Sequence, residues 1–538
     1  MKKPSLLRGL LSFSSMTMIS RVLGLARDVA INTVFGATAA TDAFWVAFRI
    51  PNFMRRLFAE GSFSTAFVPV FTEYKQTRTP AELRQLVACV AGTLGAVLLV
   101  IVALGILFAP DVVKVFAPGY IGQPHDLAMT TGLLRLTFPF LWCVSIVAMM
   151  AGVLNSFQRF ALPALTPVIL NVCMIAGALL LAPHLATPIM ALGWAILAAG
   201  ILQVLFLLPA MRRLKMLPLP RWGWRDSGVR KILRLMLPTL LGSSVAQINL
   251  LLDTVLASLL ITGSQTWLAQ STRFLELPLG VFAVALGTVI LPALSRRHVE
   301  TDREGFSKAL DWGLRTALVV ALPAMVALWF LATPLVATLF QHGQFNAFDT
   351  HMTTLSILAF VSGLPAYALV KVLLPGFYAR QDTRTPVKAA VIVLVANMAL
   401  NVVFIALLFE LWAPPAVKQL SVLAGIARVP GLHMALGIAG ATSAYLNGIL
   451  LWVWLRRAGV YQYQPGWGRH LLRVTLACVA MAVVLGVGMV TWHHWTQVGL
   501  WVRIWHLLVM VLAGGATYVG MMLALGFRLR DLRGPAGV

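Results

Sequence analysis

Uncharged apolar stretches of twenty or more residues recur along most of the chain, and no other feature of the sequence constrains the fold as tightly. A bilayer core of about 30 Å is crossed by about 20 residues of helix. Backbone polar groups at that depth must be satisfied internally, which selects helices here. Fourteen candidate spans run near residues 11–35, 43–73, 86–109, 129–154, 161–182, 188–210, 233–261, 270–295, 314–340, 352–377, 387–409, 433–455, 471–492 and 502–526. Composition agrees: 59% of residues are hydrophobic, 11% are charged, and the mean hydropathy is +0.85. An average soluble domain has about 25% charged residues, so soluble globular and disordered classes are excluded. The net charge of +24 would fit a nucleic-acid partner in a soluble protein. In a polytopic one it reflects Lys and Arg gathered in cytoplasmic loops, and no nucleic acid is expected.

With the N-terminus placed inside, nearly all loop cations fall on the cytoplasmic side, and only Lys114, Lys418, Arg428 and Arg503 fall outside. This asymmetry predicts an even number of spans with both termini cytoplasmic. The first span is interrupted by Ser14, Ser15, Arg21, Arg27 and Asp28 and is expected to be a retained helix, not a cleaved signal. Cys89, Cys143, Cys173 and Cys478 all lie in apolar runs, without metal-ligand spacing, and read as inert core.

A faint repeat relates Pro69 to Pro292, Gln158 to Gln381 and Pro163 to Pro386, each pair 223 residues apart. It implies an all-α polytopic protein of fourteen transmembrane helices: two six-helix lobes in pseudo-twofold repeat around a central cavity, plus two C-terminal helices. The expected division is 1–228 (spans 1–6), 229–458 (spans 7–12) and 459–538 (spans 13–14 and a cytoplasmic C-terminus). Parallel repeats of this kind place a substrate path between halves.

The first, second and eighth spans carry charge that hydropathy disfavours. An arginine at mid-bilayer costs about 2.5–3.5 kcal/mol on insertion scales. Arg21, Arg27, Arg49, Arg55, Arg56 and Arg273 outnumber the neighbouring acids Asp28, Asp42, Glu60 and Glu276. Arg21 and Asp28 share a helix face at i, i+7, and Arg56 and Glu60 stand at pairing distance, i, i+4. One reading is structural, with snorkelling or lobe–lobe salt bridges, and it suits Arg49 and Arg56 best. The other is an anionic guest in a wet cavity. Guanidinium stays charged and forks onto phosphate oxygens, so the surplus points to a phosphate-bearing substrate held by Arg21, Arg27, Arg55 and Arg273.

Three segments carry a resemblance: SSMTMISRVLGLARD (14–28), ATDAFWVAFRIPNFMRRLFAEGSFSTAFVPVF (40–71) and PGFYARQDTRTPVK (375–388). They are similar to the MviN/MurJ family of lipid II flippases, within the multidrug/oligosaccharidyl-lipid/polysaccharide transporter superfamily. The likeness runs from about residue 8 to the C-terminus. It implies a flippase, not an enzyme, that moves lipid II, the undecaprenyl-pyrophosphate-linked peptidoglycan precursor, to the outer leaflet of the bacterial cytoplasmic membrane by alternating access. It implies that Arg21, Arg27, Arg55 and Arg273 are the essential cavity arginines and that Asp42 is functionally sensitive. A simple positive charge is implied to suffice at Arg49, where family members also have Lys. The last two helices are implied to form a groove for the lipid tail. Some members are thought to bind sodium, and the matching positions here are Asp253, Asn397, Asn401 and Thr442. Oxygen ligands of this kind suit a hard cation, while helix–helix hydrogen bonding explains them equally.

His342, His351, His433, His493 and His494 are expected at the outer interface, with Trp492, Trp495 and Trp501 as an aromatic belt. No P-loop or nucleophile–base constellation is present, so neither ATP nor another cofactor is expected. Three alternatives stay open. A drug/cation antiporter would favour cavity acids over surplus arginines. A polyprenyl-phosphate enzyme would need a carboxylate–metal or His constellation. A scaffold for the cell-wall synthesis machinery would tolerate loss of the arginines.

Overall fold

The computed structural model describes residues 6–56, 63–280, 284–528 and 531, and among these every regular element is helical. Packing divides the chain into two compact units, Met1–Thr266 and Trp267–Val538. The first holds α1 (Leu6–Phe35), α2 (Ala39–Arg55), α3 (Ser64–Thr77), α4 (Pro80–Leu107), α5 (Ala109–Phe116), α6 (Pro124–Thr137), α7 (Pro139–Ser156), α8 (Ala161–Ala176), α9 (Met190–Arg213) and α10 (Ser227–Ser258). α11 (Ser264–Pro278) starts at the division, and the second unit continues with α12 (Val284–Val299), α13 (Arg303–Leu339), α14 (Ala347–Val361), α15 (Leu364–Tyr378), α16 (Arg384–Trp412), the short α17 (Pro415–Lys418) and α18 (Val422–Ile426), α19 (Met434–Arg457), α20 (Trp467–Thr491) and α21 (Leu500–Ala524).

In the first unit an aromatic ladder on α3 organises the core. Phe63, Phe67 and Phe71 lie one helical turn apart; Phe63 stacks on Phe67 at 5.1 Å, and Phe71 lies tilted against Phe67 at 5.5 Å. They pack with Leu86 of α4, Met150 and Val153 of α7, Leu207 of α9 and Ile232 of α10. α10 also packs on α2, α4 and α5. Packing therefore groups α10 with the first unit, although the repeat counts it as the first helix of the second lobe. In the second unit Leu310 and Leu314 of α13, Val372 and Phe377 of α15, and Leu451 and Leu455 of α19 form one cluster. A second cluster joins α13 to α20 and α21 through Leu331, Met481, Leu485 and Met510.

Nine described helices are long and apolar enough to cross a membrane, or ten if α14 and α15, bent by 41°, count as one broken span. The other expected spans fall on α1, on α2 with α3, on α10 and on α11 with α12. Their described residues are helical, and they carry Arg21, Arg27, Asp28, Asp42, Arg49, Arg55, Asp253, Arg273 and Glu276. Fourteen spans are consistent with this arrangement.

The two glutamines of the faint repeat end their helices alike. After α7, Gln158 takes φ 60°, and after α15, Gln381 takes φ 59°. The hydrogen bonds match position by position: Gln158 N donates to Asn155 O and Arg159 N to Leu154 O, while Gln381 N donates to Tyr378 O and Asp382 N to Phe377 O. This is the Schellman way of ending a helix, with a left-handed residue releasing the chain and the last carbonyls satisfied. Left-handed geometry costs a residue bearing a Cβ about 1–2 kcal/mol; Lys215 and Thr301 take it as well, with the same hydrogen bonds, and of these four residues the two glutamines stand at the 223-residue offset.

Candidate functional site

α1 and α8 together build the first charged centre. Arg27 and Asp28 are buried on α1, 5% and 0% exposed. Adjacent residues on a helix do not face each other, but the long arginine folds back, and both Nε (2.9 Å) and Nη2 (2.6 Å) donate to Asp28 Oδ1. Its Nη1 donates to Asn171 Oδ1 of α8 at 3.1 Å, and Asn171 Nδ2 donates to Ser20 O at 3.1 Å. The face-sharing of Arg21 with Asp28 is not realised as a pair: Arg27 takes the carboxylate, and Arg21 is exposed. Asn171 is a residue that sequence reasoning missed, although a lone amide in an apolar span was the available signal.

α2 supplies the second centre, at the turn between α10 and α11. Asp42 is buried, and its carboxylate accepts from Gly263 N at 2.7 Å, Thr266 N at 2.9 Å and Thr266 Oγ1 at 2.6 Å. A carboxylate at the start of α11 satisfies amides the helix leaves open and complements its dipole. Two turns along α2, Arg49 Nη1 donates to Gln265 Oε1 at 2.6 Å and Thr254 Oγ1 at 3.1 Å. Gln265 Nε2 in turn donates to Thr254 O. Asp42 and Arg49 thus clamp one turn of chain from one face of α2. The partners Thr254 near the end of α10, Gly263 in the turn, and Gln265 and Thr266 at the start of α11 carry no sequence signal, because small polar residues at helix ends are common and their partner on α2 lies more than 200 residues away.

Arg55 and Arg56 end α2 half-buried, and Arg55 Nε donates to Asn52 Oδ1 at 2.9 Å. Glu60, the expected partner of Arg56, lies outside the described residues. In the second unit Arg273 of α11 stands 3.6 Å from Glu276, with side chains 40% and 62% exposed. That pair is open to its surroundings, unlike the buried Arg27–Asp28.

The residues matched to sodium positions are only partly brought together. Asn397 and Asn401 are buried on α16, and Asn397 Oδ1 accepts from Ser443 Oγ at 3.0 Å. Thr442 is exposed, and its hydroxyl donates to Ile438 O of its own helix at 2.8 Å. The hydroxyl that meets the amides therefore belongs to Ser443, one residue on. Asp253 lies half-buried on α10, in the first unit. Among the described residues no group of three or more His, Cys, Asp and Glu stands ready for a metal.

Helices of membrane-crossing length in both units, with arginines and carboxylates carried by the more polar α1, α2 and α11, define a polytopic α-helical membrane protein. The family model described as "Lipid II flippase MurJ" matches residues 31–507. The chain is 41% identical to a probable lipid II flippase MurJ of Vibrio cholerae, covering 98% of each chain. It is 39% identical to the lipid II flippase MurJ of Burkholderia cenocepacia, covering 98% of this chain and 99% of the relative. A solved lipid II flippase MurJ in an inward closed conformation superposes with a TM-score of 0.76 at 26% identity, covering 97% of this chain and 99% of that one. An inward-facing multidrug transporter of the MATE family shares the fold alone, with a TM-score of 0.65 at 14% identity, covering 83% of this chain and 97% of that one. The chain belongs to the lipid II flippase MurJ family, a family of transporters and not of enzymes.

Proposed function

We propose that the chain carries lipid II from the inner to the outer leaflet of the bacterial cytoplasmic membrane by alternating access, supplying peptidoglycan synthesis. What carries the reading is a stock of guanidinium groups on bilayer-level helices (Arg21, Arg27, Arg55, Arg273) in a chain that matches the lipid II flippase family over residues 31–507. Guanidinium forks onto pyrophosphate oxygens in a way ammonium does not. Both termini lie in the cytoplasm in this reading. Residues 1–228 and 229–458 act as the two lobes, 459–538 hold the lipid tail, and the cell-wall synthesis machinery receives the product.

Transport requires the grip to differ between states, because a site that binds equally in both shifts nothing. The Arg27–Asp28 pair supports a switch of this kind. A guanidinium occupied by its neighbouring carboxylate in one state and by substrate phosphate in another provides the difference. Sodium bound by Asp253, Asn397, Asn401 and Thr442 or its neighbour Ser443 is part of the same proposal.

The test is depletion of the protein in cells fed labelled precursor, followed by assignment of the lipid-linked precursor to a leaflet. Accumulation on the cytoplasmic side is expected, relieved by the wild-type gene and not by Arg21→Ala, Arg55→Ala or Arg273→Ala. Normal growth on two or more of these variants as sole copy overturns the pyrophosphate grip.

A further inference from the structure

A cavity of about 580 Å³ opens in the second unit where the start of α13, the 458–466 connection, the start of α20 and the chain after α21 meet. Its wall is a rigid polar network. Asp311 of α13, 4% exposed, accepts from Tyr461 Oη and Trp467 Nε1, each at 2.7 Å, on Oδ1 and from Arg315 Nε at 2.7 Å on Oδ2. Arg315 Nη2 then donates to Pro465 O at 2.8 Å, and its guanidinium lies 5.1 Å from the centre of the Trp467 ring. Burial and the bond to Asp311 hold the Tyr461 phenol well above its ordinary pKa, so it stays a donor. The buried carboxylate is thus fully engaged, and it fixes Arg315 against the cavity.

The remaining lining charge is mostly cationic: Lys308, Arg469 and Arg473 against Asp531. Arg469 and Arg473 stand i, i+4 on α20 and share a face, and neither makes an ion pair among the described residues. Lys308 joins them at the rim, and its charge is shared with Glu304. The other lining acid, Asp531, has a carboxylate oxygen that accepts from Arg528 N. Two like charges one turn apart repel unless an anion lies between them. Just beyond, Leu471, Leu472, Leu476 and Val479 present an exposed apolar flank on a helix of membrane-crossing length. A cationic chamber bordering an apolar flank matches an amphiphile with a phosphate head. The basic loops assign this end of α20 to the cytoplasmic leaflet.

We propose that this cavity binds the phosphate head group of an anionic phospholipid of the cytoplasmic leaflet, gripped by Arg469 and Arg473 against the fixed wall of Arg315. None of the arginines assigned to the transported substrate lines it. The bound lipid would tie α20 to the start of α13.

Full-length protein in detergent, titrated with phosphatidylglycerol or phosphatidylcholine and read by native mass spectrometry, tests this. Phosphatidylglycerol should bind at least about tenfold more tightly, on the scale expected for two arginines near a lipid phosphate. Arg469→Gln/Arg473→Gln should abolish the preference. Arg469→Lys/Arg473→Lys should keep most of it, and Arg456→Gln, outside the cavity, should keep all of it. Equal binding of the two lipids by the wild type, or an undiminished preference in the glutamine variant, overturns the proposal. Complete displacement of phosphatidylglycerol by inorganic phosphate also overturns it, in favour of a soluble anion. So does loss of lipid II binding in the glutamine variant with phosphatidylglycerol binding intact.

Discussion

Arg27 has two candidate duties that a single substitution cannot separate: counter-charge to Asp28 and ligand for substrate. Removing one partner of a buried pair costs about 3–5 kcal/mol, while removing both costs far less. Arg27→Ala should therefore lower the melting temperature of the purified protein strongly, and Arg27→Ala/Asp28→Ala should recover most of it. If the arginine also grips pyrophosphate, the double variant melts normally yet fails to sustain growth as the only copy. Growth of that double variant would reduce Arg27 to a partner for Asp28. Arg49 makes a different case, because its hydrogen bonds go to neutral groups, Thr254 and Gln265. Arg49→Ala strips the turn of these donors and should cost about 1–3 kcal/mol. Arg49→Lys keeps a charged donor but loses the two-pronged reach, so its melting temperature should fall between those of wild type and alanine variant.

At the level of helices, α16 and α19 meet through Asn397 and Ser443. Such a contact either glues helices or offers oxygens to a cation. If sodium binds here, linkage raises the melting temperature with sodium and not with potassium. Ser443→Ala and Asn397→Ala should then erase the rise, whereas Thr442→Ala, whose hydroxyl is bonded within its own helix, should leave it intact. Equal stabilisation by both salts would reduce the contact to packing. Spacing alone could place Asn397 and Asn401 on one face, but not choose between Thr442 and Ser443. Neighbours on a helix point about 100° apart, and the rotation of α19 against α16 decides which one arrives.

For the whole molecule, the positive-inside pattern makes a topological prediction. Single cysteines in 211–231 and 296–313 should react with a membrane-impermeant thiol reagent only from the cytoplasmic side, and cysteines in 341–351 only from the outside. A reversed pattern at any of the three would mean that the spans are miscounted by one. A subtler property of the whole is that duplication and packing divide the chain differently. The repeat pairs α1 with α10, yet α10 packs with the helices that precede it. Sequence correspondence records descent, whereas packing records which apolar faces meet.

The class of fold and the inventory of charge are legible in the residues alone. Apolar runs of bilayer length leave the backbone no alternative to helices, and an arginine among them is too costly to be incidental. How each charge is employed depends on which helices meet. Tertiary structure gave Asp28 to Arg27 and not to Arg21, aimed Asp42 at the open amides of Gly263 and Thr266, and buried Asp311 where the sequence read only a cytoplasmic loop. The physical reason is range. Helix formation and membrane insertion depend on residues within a few turns of one another. Hydrogen bonds and ion pairs form at about 3 Å between segments more than two hundred residues apart, such as Asp42 and Thr266, and no local pattern encodes their meeting.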